Sequence, residues 1–129
     1  MDDIMTKIYK FNFTVAYADS DAEGVMYHAR YIEVAERARF DFSKKIPAPD
    51  GDVGFVARDL NIKYMYPLFL GDDFVVETRF VKIGAASLTI EQKFVKCDKI
   101  CAIMNITIAY LGSDMRPKAI PDEIINALK

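Results

Sequence analysis

The chain has 129 residues, 52% of them apolar, which is enough for one domain with one core and too apolar for a disordered chain. Seventeen Lys and Arg against nineteen Asp and Glu leave a formal charge of −2, which argues against a nucleic-acid binder with its basic face. No run nears the roughly 20 apolar residues of a membrane span, and the opening MDDIMTKIYK lacks the order of a signal peptide, so a cytoplasmic protein is expected.

Residues 7–17 alternate. Tyr9, Phe11, Phe13, Val15 and Tyr17 share one face, and Lys10, Asn12 and Thr14 the other. Period two with aromatics predicts a strand. A polar loop, Ala18-Asp19-Ser20-Asp21-Ala22-Glu23-Gly24, interrupts it. From Tyr27 to about Lys44 the period becomes helical, with Tyr31, Val34, Ala35, Ala38 and Phe42 on one stripe. Glu33 and Arg37 form a favourable i,i+4 pair. The run Ile46-Pro47-Ala48-Pro49-Asp50-Gly51 breaks the helix.

Four strand-like runs follow. Phe55 to Tyr66 sets Leu60, Ile62, Tyr64 and Tyr66 on one face. Asp73 to Ile83 groups Phe74, Val76, Thr78 and Phe80. Ser87 to Lys96 groups Leu88, Ile90, Gln92 and Phe94, and Asp98-Lys99 reads as a hairpin tip. Cys101 to Leu111 is apolar on both faces, as in a strand covered on both sides. The tail, Pro121 to Lys129, fits one or two last helical turns.

The order is strand, long helix, then four strands read as an antiparallel meander. The first strand must join the same sheet to satisfy its backbone. A helix of about 18 residues is about 27 Å long. A curved five-stranded sheet wrapped around it is the expected architecture: an α+β hot-dog fold, one domain over residues 1–129. Val75, Val81, Met104, Ile106 and Ile108 are assigned to the outer sheet face, where their exposure would favour self-association.

The chemistry concentrates between Tyr17 and Tyr31, where a carboxylate loop runs directly into a helix. A helix N-terminus presents unpaired N–H groups and partial positive charge, which can hold a developing oxyanion. A carboxylate six or seven residues upstream can reach the same carbonyl carbon. Taken alone, Asp19 and Asp21 serve equally as ordinary capping residues. His28, the sole histidine, is a general base, an orienting donor or simply a histidine of the first turn. Cys97 and Cys101 read as free thiols, because no second Cys/His cluster completes a zinc site; no metal or other cofactor is expected.

The string YADSDAEGVMYHARYIEVAERAR resembles the signature of the 4-hydroxybenzoyl-CoA thioesterase-like hot-dog proteins, Y-x-D-T/C-D-x-x-G-V-V-Y-H-x-x-Y-x-x-x-x-E-x-A-R. More narrowly it resembles the Tol-Pal-associated acyl-CoA thioesterases of the YbgC type. The likeness continues through Leu60-Asn61-Ile62-Lys63-Tyr64-Met65-Tyr66-Pro67, Gly71-Asp72, Gly84-Ala85-Ala86-Ser87 and Arg116-Pro117-Lys118-Ala119-Ile120-Pro121. It implies an acyl-CoA thioesterase with Asp21 as the catalytic carboxylate and Asp19 as its non-catalytic partner. It places the thioester-polarising helix start at Tyr27 and His28, and substrate contacts at Gly24, Lys82 and Ser87. It implies a homodimer or homotetramer with each site at a protomer boundary; acyl carrier protein is a further partner that such a thioesterase can meet. Ser20, Glu23 and Met26 depart from the signature, and Glu23 adds a carboxylate beside Asp21 that bears on substrate preference.

Two rival functions remain at this level. Glu23 and His28 have the four-residue gap of hot-dog hydratases, without the Asn-Pro that accompanies it there. A non-catalytic module that binds acyl-CoA or a protein partner is the other.

Overall fold

Residues 3–47 and 51–129 are described by the computed structural model; Met1, Asp2 and the Ala48-Pro49-Asp50 part of the helix-breaking run lie outside them. Strand β1 covers Tyr9–Thr14. It is shorter than the alternation predicts, because Tyr17 falls in a 3-10 turn, Tyr17–Asp19, and is 84% exposed. Helix α1 spans His28–Ser43, with Tyr27 and Lys44 as its caps, and buries Tyr31, Val34, Ala35 and Ala38. Glu33 does not pair with Arg37; it takes Arg30 Nη1 at 2.8 Å, one turn earlier.

Strands β2 (Gly54–Tyr64), β3 (Asp73–Ile83), β4 (Ser87–Lys96) and β5 (Lys99–Leu111) follow, and α2 (Asp122–Leu128) closes the chain. The five strands form one antiparallel sheet in the order β1-β3-β4-β5-β2. Only β3, β4 and β5 form a meander. β2 does not neighbour β3; it pairs with β5 at the far edge. The residue pattern explains this. β5 is apolar on both faces and needs a neighbour on each side, whereas β2 is exposed along much of its length and tolerates an edge. The curved sheet wraps α1, which is the hot-dog arrangement.

Register assigns the faces. Ala102, Met104, Ile106 and Ile108 oppose Phe94, Gln92, Ile90 and Leu88, so they point at the helix. Met104, Ile106 and Ile108 therefore belong to the inner face, contrary to expectation, and Met104 and Ile106 are buried. Val75 stays on the outer face as expected, opposite Val95, and that face also carries charge, with Arg79 Nε 2.8 Å from Glu91 Oε1.

A buried polar group fixes the helix on this sheet. Gln92 is fully buried in β4. Its Nε2 donates to Ala35 O at 2.9 Å and to Thr78 Oγ1 at 3.1 Å, and its Oε1 accepts from Arg39 Nη1 at 2.8 Å. Left unpaired, such an amide would cost about 1–3 kcal/mol, so these bonds favour one seating of the helix over its slid alternatives. At the other end of the core, Ile124 and Leu128 of α2 are buried, and Tyr9 Oη donates to Leu128 O at 3.1 Å.

Candidate functional site

Between β1 and α1 the chain forms a small ribbon. Ser20 and Met26 bridge across it, and Asp21 N–H donates to Val25 O at 2.9 Å. Asp21 sits at the first corner and is exposed. Its Oδ1 accepts Glu23 N–H at 2.9 Å and, more weakly, Val25 N–H at 3.4 Å. This is an Asx turn, which orients the carboxylate through the backbone it caps. Oδ2 has no partner among the described residues and is free to meet a substrate or water.

Gly24 closes the ribbon at φ +78 with open space around its Cβ position, so a left-handed backbone, rather than crowding, calls for glycine there. The loop before β3 braces it. Leu70 N–H donates to Gly24 O at 2.9 Å and Met26 N–H to Leu68 O at 2.8 Å. Asp72 holds that loop by accepting Phe69 N–H at 2.7 Å and pairing with Lys96 at 2.9 Å. Burial pushes the Asp72 carboxyl up, but Lys96 and the Phe69 N–H outweigh it, and the group titrates below its usual range.

Asp19 is a different kind of carboxylate. It is buried, accepts Ala16 N–H on Oδ2 at 2.8 Å, and has Arg30 Nε 2.7 Å from Oδ1. Both oxygens are engaged, so Asp19 is scaffold. Of the two carboxylates that the residues alone leave equal, Asp21 is the one with a free oxygen.

The helix start lies close to the ribbon. Val25 is bonded to Asp21, and only Met26 and Tyr27, about 10 Å of chain, separate Val25 from His28. Tyr27 is the N-cap, its backbone extended at φ −79 and ψ 156, and no side chain caps the helix. Tyr27 N–H donates to Asp19 O at 3.3 Å and Arg30 N–H to Tyr27 O at 3.0 Å. The N–H groups of His28 and Ala29 have no acceptor among the described residues. Two unpartnered donors at the positive end of α1 are what a developing oxyanion requires.

The His28 side chain is exposed and rests edge-on against Tyr64, with ring centroids 5.1 Å apart. Tyr64 Oη donates to His28 O at 2.8 Å, and burial pushes the Tyr64 hydroxyl pKa up, so it stays a donor at neutral pH. Glu23 lies in the ribbon turn, outside α1, so the four residues between it and His28 belong to the turn and the N-cap rather than to the helix. Among the described residues no group of three or more His, Cys, Asp or Glu could hold a metal ion.

Lys82 and Ser87 are not brought to this site. They sit at the end of β3 and the start of β4, whereas Asp73, next to the bracing loop, begins β3. Nine residues of strand put Lys82 about 30 Å from that loop. Within one chain they contact nothing at Asp21; only a second chain could carry them there.

A groove of about 640 Å³ runs along α1 where it meets the sheet, lined by Arg30, Arg39, Phe55, Phe80, Ile90 and Ile108 among others. It starts at Arg30, in the first turn of the helix, and is not lined by Asp21, Tyr27 or His28. Its size falls within the range of small-molecule pockets.

Arg30 and Tyr64 went unnoticed in the residue pattern. Tyr64 had no local signal, since its partner lies 36 residues away. Arg30 did have one: a basic residue in the first helical turn opposes the helix dipole, and its compensation lies in Asp19 and Glu33.

Comparison with known proteins agrees with this fold. Residues 15–128 match the family model described as the thioesterase-like superfamily. The acyl-CoA thioesterase YbgC of Haemophilus influenzae is 30% identical over 123 residues, covering 90% of each chain. A probable thioesterase from Bartonella henselae superposes with TM-score 0.78 at 27% identity, covering 89% of this chain and 98% of that one. A thioesterase from Thermus thermophilus, solved with coenzyme A and Zn, gives TM-score 0.83 at 25% identity, covering 93% and 96%.

Proposed function

The chain belongs to the thioesterase-like superfamily, and from that premise we propose that it hydrolyses acyl-CoA thioesters to free acid and CoA, with Asp21 as the catalytic carboxylate. One observation carries the assignment: a carboxylate with a free oxygen sits on a short ribbon that leads directly into a helix start whose first two N–H groups are unpartnered. The thioester carbonyl oxygen accepts hydrogen bonds from His28 and Ala29 N–H, which stabilise the negative charge that builds there. Asp21 either attacks the carbonyl carbon or takes a proton from the water that does. The C–S bond breaks and the thiolate leaves and takes up a proton; when water attacks, the free acid is formed directly, and when Asp21 attacks, the acyl group stays on it as a mixed anhydride that water then splits into the acid and the Asp21 carboxylate. His28 orients the substrate from the mouth of the site. Gly24 shapes the ribbon, and Lys82 and Ser87 would contact CoA only from a neighbouring protomer. The apolar wall of the groove along α1 supplies surface for the acyl group.

The described residues share one core cluster, which supports a single domain over residues 1–129. Self-association fits the surface. Apolar exposure collects at the β2 edge and the loop after it, in Leu60, Tyr64, Met65, Tyr66, Phe69 and Leu70, rather than on the outer face. The long free edge of β2 is a template for pairing with a second copy. A homodimer, or a homotetramer built from it, follows; light scattering that reads the single-chain mass of 14.6 kDa would contradict it. No helix among the described residues is long and apolar enough to cross a membrane. A cytoplasmic setting is supported by the two free cysteines, Cys97 and Cys101, which suit a reducing compartment.

The test is thiol release from a panel of short, long and aromatic acyl-CoAs, and from acyl carrier protein loaded with the same groups. At least one should release thiol in a catalytic, protein-dependent manner. Loss of enoyl absorbance from an enoyl-CoA without thiol release would make the chain a hydratase. Tight acyl-CoA binding with neither change would make it a binding module.

A further inference from the structure

We infer that Arg30 is a positioning residue for the thioester hydrolysis proposed above: it holds the ribbon bearing Asp21 at a set distance from the unpartnered N–H groups at the start of α1. The inference rests on that proposed reaction.

The ribbon is tethered to the rest of the molecule at its base, where Asp19 leads in and Tyr27 leads out. Arg30 grips both. Its Nη2 donates to Ala18 O at 3.2 Å, and its Nε approaches Asp19 Oδ1 to 2.7 Å. The buried Nε–H makes no hydrogen bond, so that approach is an ion pair rather than a directed bond. The guanidinium also lies 5.7 Å from the centroid of the Tyr27 ring, over the N-cap. Nη1 donates to Glu33 Oε1 at 2.8 Å, which fixes the side chain to its own helix. One planar group thus ties the incoming chain, the N-cap and the first turn together.

Asp19 is the receiving end. Its second oxygen takes Ala16 N–H at 2.8 Å, so the load passes on to the segment that leaves β1. A cation in the first helical turn opposes the helix dipole and would be an odd choice without such a task. Hydrolysis needs Asp21 and the two N–H groups to act on the same carbonyl, and a misplacement of about 1 Å can cost about 100-fold in rate. A clamp at the base of the ribbon sets that distance without touching the reacting atoms.

The experiment uses Arg30→Met, Arg30→Lys, Asp19→Asn and the Asp19→Asn/Arg30→Met double variant, each measured per mole of folded protein. Arg30→Met should lower kcat by roughly 10- to 100-fold with a much smaller change in KM, because Arg30 lines only the mouth of the groove and the rest of its wall is untouched. Arg30→Lys should restore part of the loss, since one ammonium keeps the charge but cannot span Asp19 and Ala18 O. The double variant should lose no more than the worse single one, as expected of two residues acting through one contact. Amide exchange between Val15 and Tyr27 should quicken in Arg30→Met whatever the activity. Unchanged kcat, losses that multiply, or unchanged exchange would each overturn the inference. If the wild type releases no thiol from any acyl-CoA, the hydrolase reading falls by itself, and the exchange measurement alone then decides whether Arg30 holds the ribbon.

Discussion

Tyr110 shows how much a single side chain's surroundings matter here. It is fully buried in β5, and its hydroxyl donates to Asp52 Oδ2 at 2.7 Å. Lys118 Nζ reaches the same carboxylate at 2.9 Å, so three residues tie the segment after the helix to the C-terminal run. Lys118 and then Tyr110 hold the Asp52 carboxyl below its usual range. Burial, and next the Asp52 hydrogen bond, push Tyr110 up to about 12 from an ordinary 10.0. The sign follows from linkage. The unfolded chain releases this proton near 10 and the folded chain only near 12. The stabilisation is therefore whole below pH 10 and is lost as pH climbs toward 12. Thermal unfolding of the wild type should weaken more steeply over that window than unfolding of Tyr110→Phe; equal slopes would contradict the assignment. Asp19 and Asp21 make the same point at the site: two residues of one type, two positions apart, differ by virtue of their neighbours, one with both oxygens engaged and the other with one free.

Among the elements, the β4–β5 hairpin departs most from what its residues advertise. Lys96 pairs with Lys99, leaving a two-residue turn at Cys97 and Asp98, one position before the expected tip. Both turn residues are left-handed, at φ 47 and φ 65. Such turns favour Asn-Gly or Asp-Gly, and Cys-Asp carries neither signal, which is why the register of the tip was not legible. A left-handed non-glycine residue costs about 1–2 kcal/mol. Asp98 is exposed and forms no bond that the turn depends on. Asp98→Gly should raise stability by about 1 kcal/mol, seen as a Tm several degrees higher with unchanged activity. No rise in Tm would show that the turn is not strained. Helix α1 is the opposite case. Its stripe of Tyr31, Val34, Ala35 and Ala38 is buried as the period requires, because nothing competes with the core for that face.

For the molecule as a whole, local pattern was readable and long-range order was not. β3 and β4 have the bounds that alternation predicts, and their inner faces are the ones read from the residues. Placement of β2 beside β5 instead of β3 depends on which strand can bear an edge, a comparison between elements far apart in the chain. The inward turn of Met104, Ile106 and Ile108 has the same origin, since a strand apolar on both faces carries no phase of its own. At the site, the loop and the helix start were legible because they are contiguous. Lys82 and Ser87 were carried over by resemblance and lie at the far end of the sheet, and the support from Tyr64 emerges only on folding. The central claim is that Asp21 is the catalytic carboxylate, and thiol release by Asp21→Asn tests it most directly. The amide keeps an oxygen to cap Glu23 N–H, so the ribbon should stay folded. Turnover on the best acyl-CoA should fall by at least about 100-fold with the Tm near that of the wild type. Near-normal turnover in the folded variant would contradict it.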